Sequence, residues 1–407
     1  MRLLITGGAG FVGARLARTL LARGRLDGRT IESLVIADQI APPADLAADA
    51  RVEARVGPLL GHCAALAHEP FDGVFHLASA VSGECEADFD LGLRSNLDST
   101  RALLDALRAR VLAGHAPAKL VFSSSVAVFG PDPVVPLPDL VTDTTLPAPQ
   151  TSYGMHKLVC EHLISDWTRK GFIDGRAARL MTVTVRPGRP NGAASSFFSG
   201  IIREPLAGEP AICPVDASVS HPVTSPQRTV EGLIAVYEAS REAFGGRLAL
   251  NLPALNVTVQ QMLDALESVA GPQVRARVSF QRDERIAGIV AGWSRGATAE
   301  RAARLGLQPE ACFEDIIRQY IADCAGHPTE GERRPEELHG VHTYVCQDKN
   351  QLPGLHRGDD LATRADAQAA CGVCRPAFPI GQALLRREPD QQRIENPGGE
   401  RIVDPEG

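Results

Sequence analysis

The sequence predicts an α/β protein, a doubly wound parallel sheet joined to a smaller C-terminal lobe and a polar extension, and three observations carry that expectation. The apolar run Leu3-Leu4-Ile5 stops at the glycine-rich turn Thr6-Gly7-Gly8-Ala9-Gly10-Phe11-Val12-Gly13, which opens an amphipathic segment from Phe11 to Arg23. A second apolar run, Leu34-Val35-Ile36-Ala37, ends in the carboxylate of Asp38. Beyond it, short apolar runs alternate with longer helical patterns up to about residue 185. Glycine at positions 7, 10 and 13 removes side chains where the chain turns, where backbone must approach a pyrophosphate, and where helix packs on strand. The unpaired N–H groups of the helix's first turn then hold the anion without help from lysine. A dinucleotide is therefore expected against Gly7, Gly10, Phe11, Val12 and Gly13, with Asp38 at the adenosine ribose.

Taken in order, the next strands are expected at Arg51–Val56 and at Phe71–Leu77, whose run Val74-Phe75-His76-Leu77 reads as a buried parallel strand. A long helical pattern from Glu86 to Leu112 carries Leu91, Leu97, Leu103, Leu104 and Leu107, with Asn96 at its polar boundary. Strand Lys119–Ser123, a proline-rich loop from Pro131 to Pro149, a helix from Thr151 to about Lys170 and a strand from Met181 to Val185 complete a sheet of the Rossmann type. From Pro187 to about Ala325 the pattern loosens into a substrate lobe with helices at Val230–Ala243, Val259–Ala270 and Cys312–Ala325, broken at Gly245-Gly246 and Gly271-Pro272. The expected division is thus 1–186 for the cofactor domain, 187–325 for the substrate lobe and 326–407 for an extension rich in Pro, Glu, Arg, Gln and Asp, largely disordered.

With 407 residues, 44% of them hydrophobic and 22% charged, the chain can bury a large core. A formal net charge of −7 without a dense basic patch argues against nucleic acid. No apolar run is long enough to span a bilayer and no signal peptide is legible, so a cytoplasmic protein is expected, its nine cysteines reduced. Cys346, His356, Cys371 and Cys374 have the residue types of a zinc site, but their spacing is irregular and no metal is expected.

The chemistry is expected from Tyr153 and Lys157, four residues apart and so on one face of a helix. A free tyrosine titrates at about 10 and is a poor base near neutrality. A neighbouring ammonium and a positive nicotinamide ring would lower it. Ser123, Ser124 and Ser125 follow a strand and therefore lie at the carboxyl edge of the sheet, where a hydroxyl can bond a substrate oxygen.

These residues resemble the extended branch of the short-chain dehydrogenase/reductase family, through Thr-Gly-Gly-x-Gly-x-x-Gly at Thr6–Gly13 and Tyr-x-x-x-Lys at Tyr153–Lys157. The resemblance implies NAD as cofactor, Ser125 as the catalytic serine and Asn96 as the helix asparagine of a catalytic tetrad. It also places Leu77, Ala78, Ser79, Ser123 and Pro187 beside the cofactor. Pro58 stands where the family usually has an aspartate. The segment from Val185 to Leu206, with Ser220-His221-Pro222-Val223, is similar to a branch acting on small sugar acids. The implied reaction is oxidation of the 2-hydroxyl of a four-carbon sugar acid to the 2-oxo acid. Hydroxyl and amide groups at Asn191, Ser195 and Ser196, with Arg189 or Arg228 to clamp a carboxylate, are the expected substrate contacts beside Ser125 and Tyr153. The assembly compatible with this reading is a homodimer. A nucleotide-sugar epimerase would reuse the same tyrosine and NAD, whereas a dehydratase is disfavoured because Val126-Ala127 replaces its Asp-Glu pair. A non-catalytic dinucleotide binder would have no need of the Tyr-Lys pair.

Overall fold

The computed structural model describes residues 1–188 and 193–326. The apolar runs become β1 (Arg2–Thr6), β2 (Ser33–Asp38), β3 (Val52–Val56), β4 (Gly73–His76) and β5 (Lys119–Ser125). Between them lie α1 (Phe11–Arg23), α2 (Leu59–Leu66) and α3 (Ser99–Leu112). After α4 (Ser152–Arg169) the chain enters β6 (Asp174–Leu180). Among the described residues the main sheet runs β3-β2-β1-β4-β5-β6 and ends on the two-residue strand Leu250–Asn251, every pairing parallel. The sheet is covered on both faces. Leu3, Ile5, Leu34, Ile36, Phe75 and Val121 face one core with α1 residues Leu16 and Leu20, while Leu4, Val35, Val74, Leu120 and Phe122 face another with Leu103 and Leu107 of α3. That alternation is the period-2 consequence of a pleated strand buried on both sides.

The expected strand at Met181–Val185 is corrected to β6, seven residues earlier. Arg176 and Arg179 make β6 read as polar, yet both are buried. Arg176 donates to Ala239 O at 2.8 Å and pairs with Asp174, and Arg179 forms a two-pronged bridge to Glu161 of α4 at 2.9 and 2.8 Å. Glu161 also accepts from the Ser124 hydroxyl at 2.5 Å. Bidentate geometry is what lets a guanidinium be buried. The pair Thr182–Val183 is instead a short strand, β7, beside a different sheet.

The expected helix from Glu86 to Leu112 is broken. Asp88 is extended and caps a new turn by accepting from Leu91 N at 2.8 Å, and Leu93–Asp98 forms a π-helical turn before α3. Such a turn widens the helix by one residue and recurs at functional sites.

The second core gathers α5 (Ser196–Leu206), β8 (Ala211–Cys213), β9 (Ser220–Thr224), β10 (Leu255–Thr258), α7 (Val259–Ala270) and α8 (Phe313–Gly326), with Phe198, Ile202, Met262, Leu266 and Ile317 at its centre. Strand β9 pairs parallel with β7 and antiparallel with β10. Helix α6 (Pro226–Glu238), begun by Pro226 and capped by Ser225, was expected in this lobe but lies on the main sheet. Tyr237 stacks on Phe75 at 5.2 Å and fills the space a side chain at Gly73 would need. Residues 226–251 therefore return to the first core, and a boundary at 186/187 does not separate the two cores along the chain. No helix among the described residues is long and apolar enough to cross a membrane. The extension from 327 onward, with Cys346, His356, Cys371 and Cys374, lies outside the described residues, as do Arg189 and Asn191.

Candidate active site

The glycine turn is dictated by close approach. Gly7 has φ of +71° and its N–H donates to Ala37 O at 2.8 Å; a side chain there would stand 2.6 Å from Ala78 N. A Cβ on Gly13 would run into Gly7 O and stand 2.7 Å from Gly8 Cα. Gly10 precedes α1 with no capping side chain, so the first N–H groups of the helix have no side-chain acceptor there. Asp38 ends β2 and ties itself to the turn: its Oδ2 accepts from Ala9 N at 2.9 Å. Its Oδ1 is engaged only by a long contact from Ile40 N, at 3.4 Å. An uncapped N-terminus, a backbone cradle with no Cβ and a carboxylate at the second strand end fit a dinucleotide.

Leu77, Ala78 and Ser79 leave β4 over this turn. Leu77 N donates to Thr6 O at 3.0 Å and Ala78 N to Thr6 Oγ1 at 3.3 Å. His76 beneath them is buried between Thr6 and Thr100, and burial drives its pKa down to about 3. Asn96 sits in the π-helical turn, buried, with Oδ1 accepting from Ala80 N at 2.7 Å and from Ser79 Oγ at 3.1 Å.

Strand β5 delivers three serines in three directions. The Ser123 hydroxyl turns to His76 O at 3.3 Å, while its carbonyl accepts from Lys157 Nζ at 2.9 Å. Ser124 turns to Glu161. Ser125 alone reaches the Tyr153 hydroxyl, and its Oγ also accepts from Ala127 N at 3.1 Å. Helix α4 holds Tyr153 there. Thr151 caps it by accepting from Gly154 N at 3.1 Å, and Gly154 lies directly against Ala127 O, where a Cβ would collide. Lys157 Nζ lies 5.5 Å from the centre of the Tyr153 ring and 4.8 Å from that of Phe122.

The electrostatics differ from the expectation that Lys157 lowers the tyrosine. Burial dominates and pushes Tyr153 up to about 12, opposed by the Ser125 hydrogen bond and the charge of Arg186. Burial likewise pushes Lys157 down to about 8. Two groups of opposite charge type, the half-buried Tyr153 and the buried Lys157, are thus both held toward neutrality.

Arg186 is the residue that the sequence reading missed. Its Nε donates to Val183 O at 3.0 Å and its Nη2 to Ser195 Oγ at 3.2 Å, and its guanidinium lies 5.8 Å from the Phe11 ring centre. Arg203 donates to Arg186 O at 2.9 Å and Ser199 Oγ accepts from Arg186 N at 3.0 Å, which fixes the backbone that carries it. Burial lowers the Arg186 pKa, with Tyr153 acting the other way. One signal could have found it: Arg186 follows β7 closely, just as Ser125 ends β5. Pro187 is exposed beside it, and Ser196 opens α5. Arg228 is instead engaged on the exposed face of α6, paired with Glu231 at 2.9 Å.

Residues 3–244 match the NAD dependent epimerase/dehydratase family. The chain is 47% identical over 331 residues to a D-erythronate dehydrogenase of Cupriavidus necator, covering 79% of this chain and 98% of that protein. It is 39% identical over 323 residues to a D-erythronate dehydrogenase of Haemophilus influenzae, covering 79% and 99% respectively. Among solved structures, one described as a nucleoside-diphosphate-sugar epimerase from Agrobacterium tumefaciens matches with a TM-score of 0.76 at 41% identity, over 80% of this chain and 95% of that one.

Proposed function

The chain belongs to the NAD dependent epimerase/dehydratase family, and from that premise we propose that it is an NAD-dependent dehydrogenase oxidising the 2-hydroxyl of D-erythronate, or of a closely similar small sugar acid, to the 2-oxo acid. The observation that carries the reading is Arg186 beside Tyr153. In a 2-hydroxy acid the carboxylate is one bond from the carbon to be oxidised. A guanidinium near the phenol can hold the carboxylate while the phenol meets the hydroxyl. Ser125 orients the substrate oxygen, Tyr153 removes its proton and Ser195 supports Arg186 from behind. The glycine turn and Asp38 would hold NAD, which would supply the hydride acceptor and a positive charge.

Substrate binding also changes the local charge balance. A carboxylate on Arg186 offsets the cation that opposes the burial of Tyr153, so the phenolate then depends on Lys157 and on the cofactor's charge. Each pKa unit of lowering corresponds to about 1.4 kcal/mol of preference for the anion.

The structural similarity to a protein described as a nucleotide-sugar epimerase keeps one other reading in play, in which the hydride returns to the sugar and no NADH accumulates. The deciding experiment measures NADH formation across D-erythronate, its stereoisomers, other aldonic acids and nucleotide sugars. NADH accumulating with D-erythronate and not with nucleotide sugars is expected; interconversion of a nucleotide sugar without net NADH overturns the dehydrogenase reading.

A further inference from the structure

We infer that His156 is a positioning residue, which supports the loop Leu77–Ala80 against the cofactor by accepting from the Asn96 amino group and so holding the amide with its oxygen on Ala80 N. The inference rests on NAD binding at the glycine turn. Its logic is one of donors and acceptors. Ala80 N–H can only donate, so the Asn96 atom 2.7 Å from it is the carbonyl oxygen, and Ser79 Oγ shares that oxygen at 3.1 Å. The Asn96 amino group consequently faces the other way, toward Ala80 O at 3.3 Å, Cys85 Sγ at 3.3 Å and His156 Nδ1 at 3.4 Å. An amino group only donates, so His156 Nδ1 must present its lone pair and carry its proton on Nε2.

That Nε2 is buried and has no hydrogen-bond partner among the described residues. An apolar side chain of similar size would avoid an orphaned donor, which is costly in a protein interior. Gly92, just before the π-helical turn, has no side chain in the space that the imidazole takes: a Cβ there would stand 2.9 Å from His156 Cε1. The ring thus couples α4, which carries Tyr153 and Lys157 on either side of it, to the loop that lies over the glycine turn.

Protonation would break the arrangement, because an imidazolium presents N–H to the N–H of Asn96. The charged and titratable groups around His156 are Glu86 from the short helix Ser82–Ala87, which favours protonation, Lys157 from α4, which opposes it, and the Cys85 thiol near Gly92. Burial outweighs them and keeps the imidazole neutral below its usual range.

Calorimetric titration of NAD into the full chain tests this, comparing wild type, His156→Leu and His156→Asn at neutral pH and at a pH well below the usual imidazole range. Loss of the acceptor in His156→Leu is expected to weaken NAD binding about tenfold. His156→Asn keeps an acceptor near the Nδ1 position and is expected to restore wild-type affinity. Wild-type affinity should fall on acidification, and that fall should be absent from His156→Asn. A Leu variant that binds like wild type, or an Asn variant as weak as Leu, overturns the inference. Should the Leu variant fail to fold, ¹⁵N spectra of the wild-type imidazole decide: the neutral Nε2–H tautomer supports the inference, and the Nδ1–H tautomer or imidazolium at neutral pH overturns it. Wild-type protein that does not bind NAD at all overturns the functional reading as well, whereas normal NAD binding with insensitive variants overturns only the role of His156.

Discussion

On the cofactor side the site is shaped by backbone, and on the substrate side by side chains. Gly7 and Gly13 are fixed by atoms of the main chain within 3 Å of where a side chain would begin, and Asp38 is held by the Ala9 N–H. Across the site, Arg186 is aimed by Ser195, Ser199 and Arg203, which belong to α5 or the residue before it. A backbone cradle accepts one ligand shape and tolerates few substitutions. A side-chain pocket can be re-aimed by changing a partner two contacts away. The first therefore conserves a cofactor while the second chooses among substrates, which is how one fold carries several reactions.

Three experiments sharpen that contrast. The largest effect is expected at the boundary between the halves: Tyr153→Phe keeps the ring but removes the proton acceptor, and kcat should fall by about a thousandfold with NAD affinity within about twofold. Near wild-type turnover in that variant would require another base and would detach the mechanism from Tyr153.

Next comes Arg186→Met, for which kcat/KM on the sugar acid should drop about a hundredfold, mostly through KM, with NAD binding unaffected. Because Arg186 opposes the burial of Tyr153, the pH profile of kcat/KM should also move to higher pH. Arg228→Ala in the same assay should stay within about twofold of wild type, since its partner is the surface carboxylate of Glu231. Reversal of the two arginines would move the carboxylate to α6 and break the proposed site.

The smallest effect is one of stability and sets the two cores side by side. His76 in the first and His221 in the second are buried, with burial lowering them to about 3 and about 4. Each folded pKa lies below the unfolded value near 6.5, so between those values the unfolded chain binds more protons. Stability is present above about pH 6.5 and is lost as pH falls toward the folded pKa, with a slope approaching 1.4 kcal/mol per pH unit for each histidine. Thermal unfolding should record that loss, and His221→Gln should flatten it. An unchanged pH dependence in the variant would show that His221 titrates normally.

How much of this the sequence disclosed follows from the same contrast. The glycine turn, Asp38, Ser125, Tyr153 and Lys157 could be singled out as candidates because each is marked by its spacing along a strand or helix. Strand β6 was not, since Arg176 and Arg179 look like surface residues until Asp174 and Glu161 are brought to them in space. Nothing local marks the π-helical turn around Asn96. Arg186 was not singled out because a site lined from separate elements has no period along the chain. The upward push of burial on Tyr153 was not legible for a related reason: spacing reveals a neighbour, whereas desolvation belongs to the whole surroundings.

The bridge between Arg179 and Glu161 has a consequence for how such a protein can change over generations. Both side chains are almost fully enclosed, so removing either leaves the other as a buried charge without its counter-ion, a loss of about 3–5 kcal/mol. Replacing both by apolar residues of matching volume is often neutral. The two sites are thus separated from a perfectly serviceable apolar solution by single steps that most descendants would not survive. Catalytic helix and sixth strand inherit one another's history, and a lineage that carries this pair keeps it less because it is best than because there is no gradual way out.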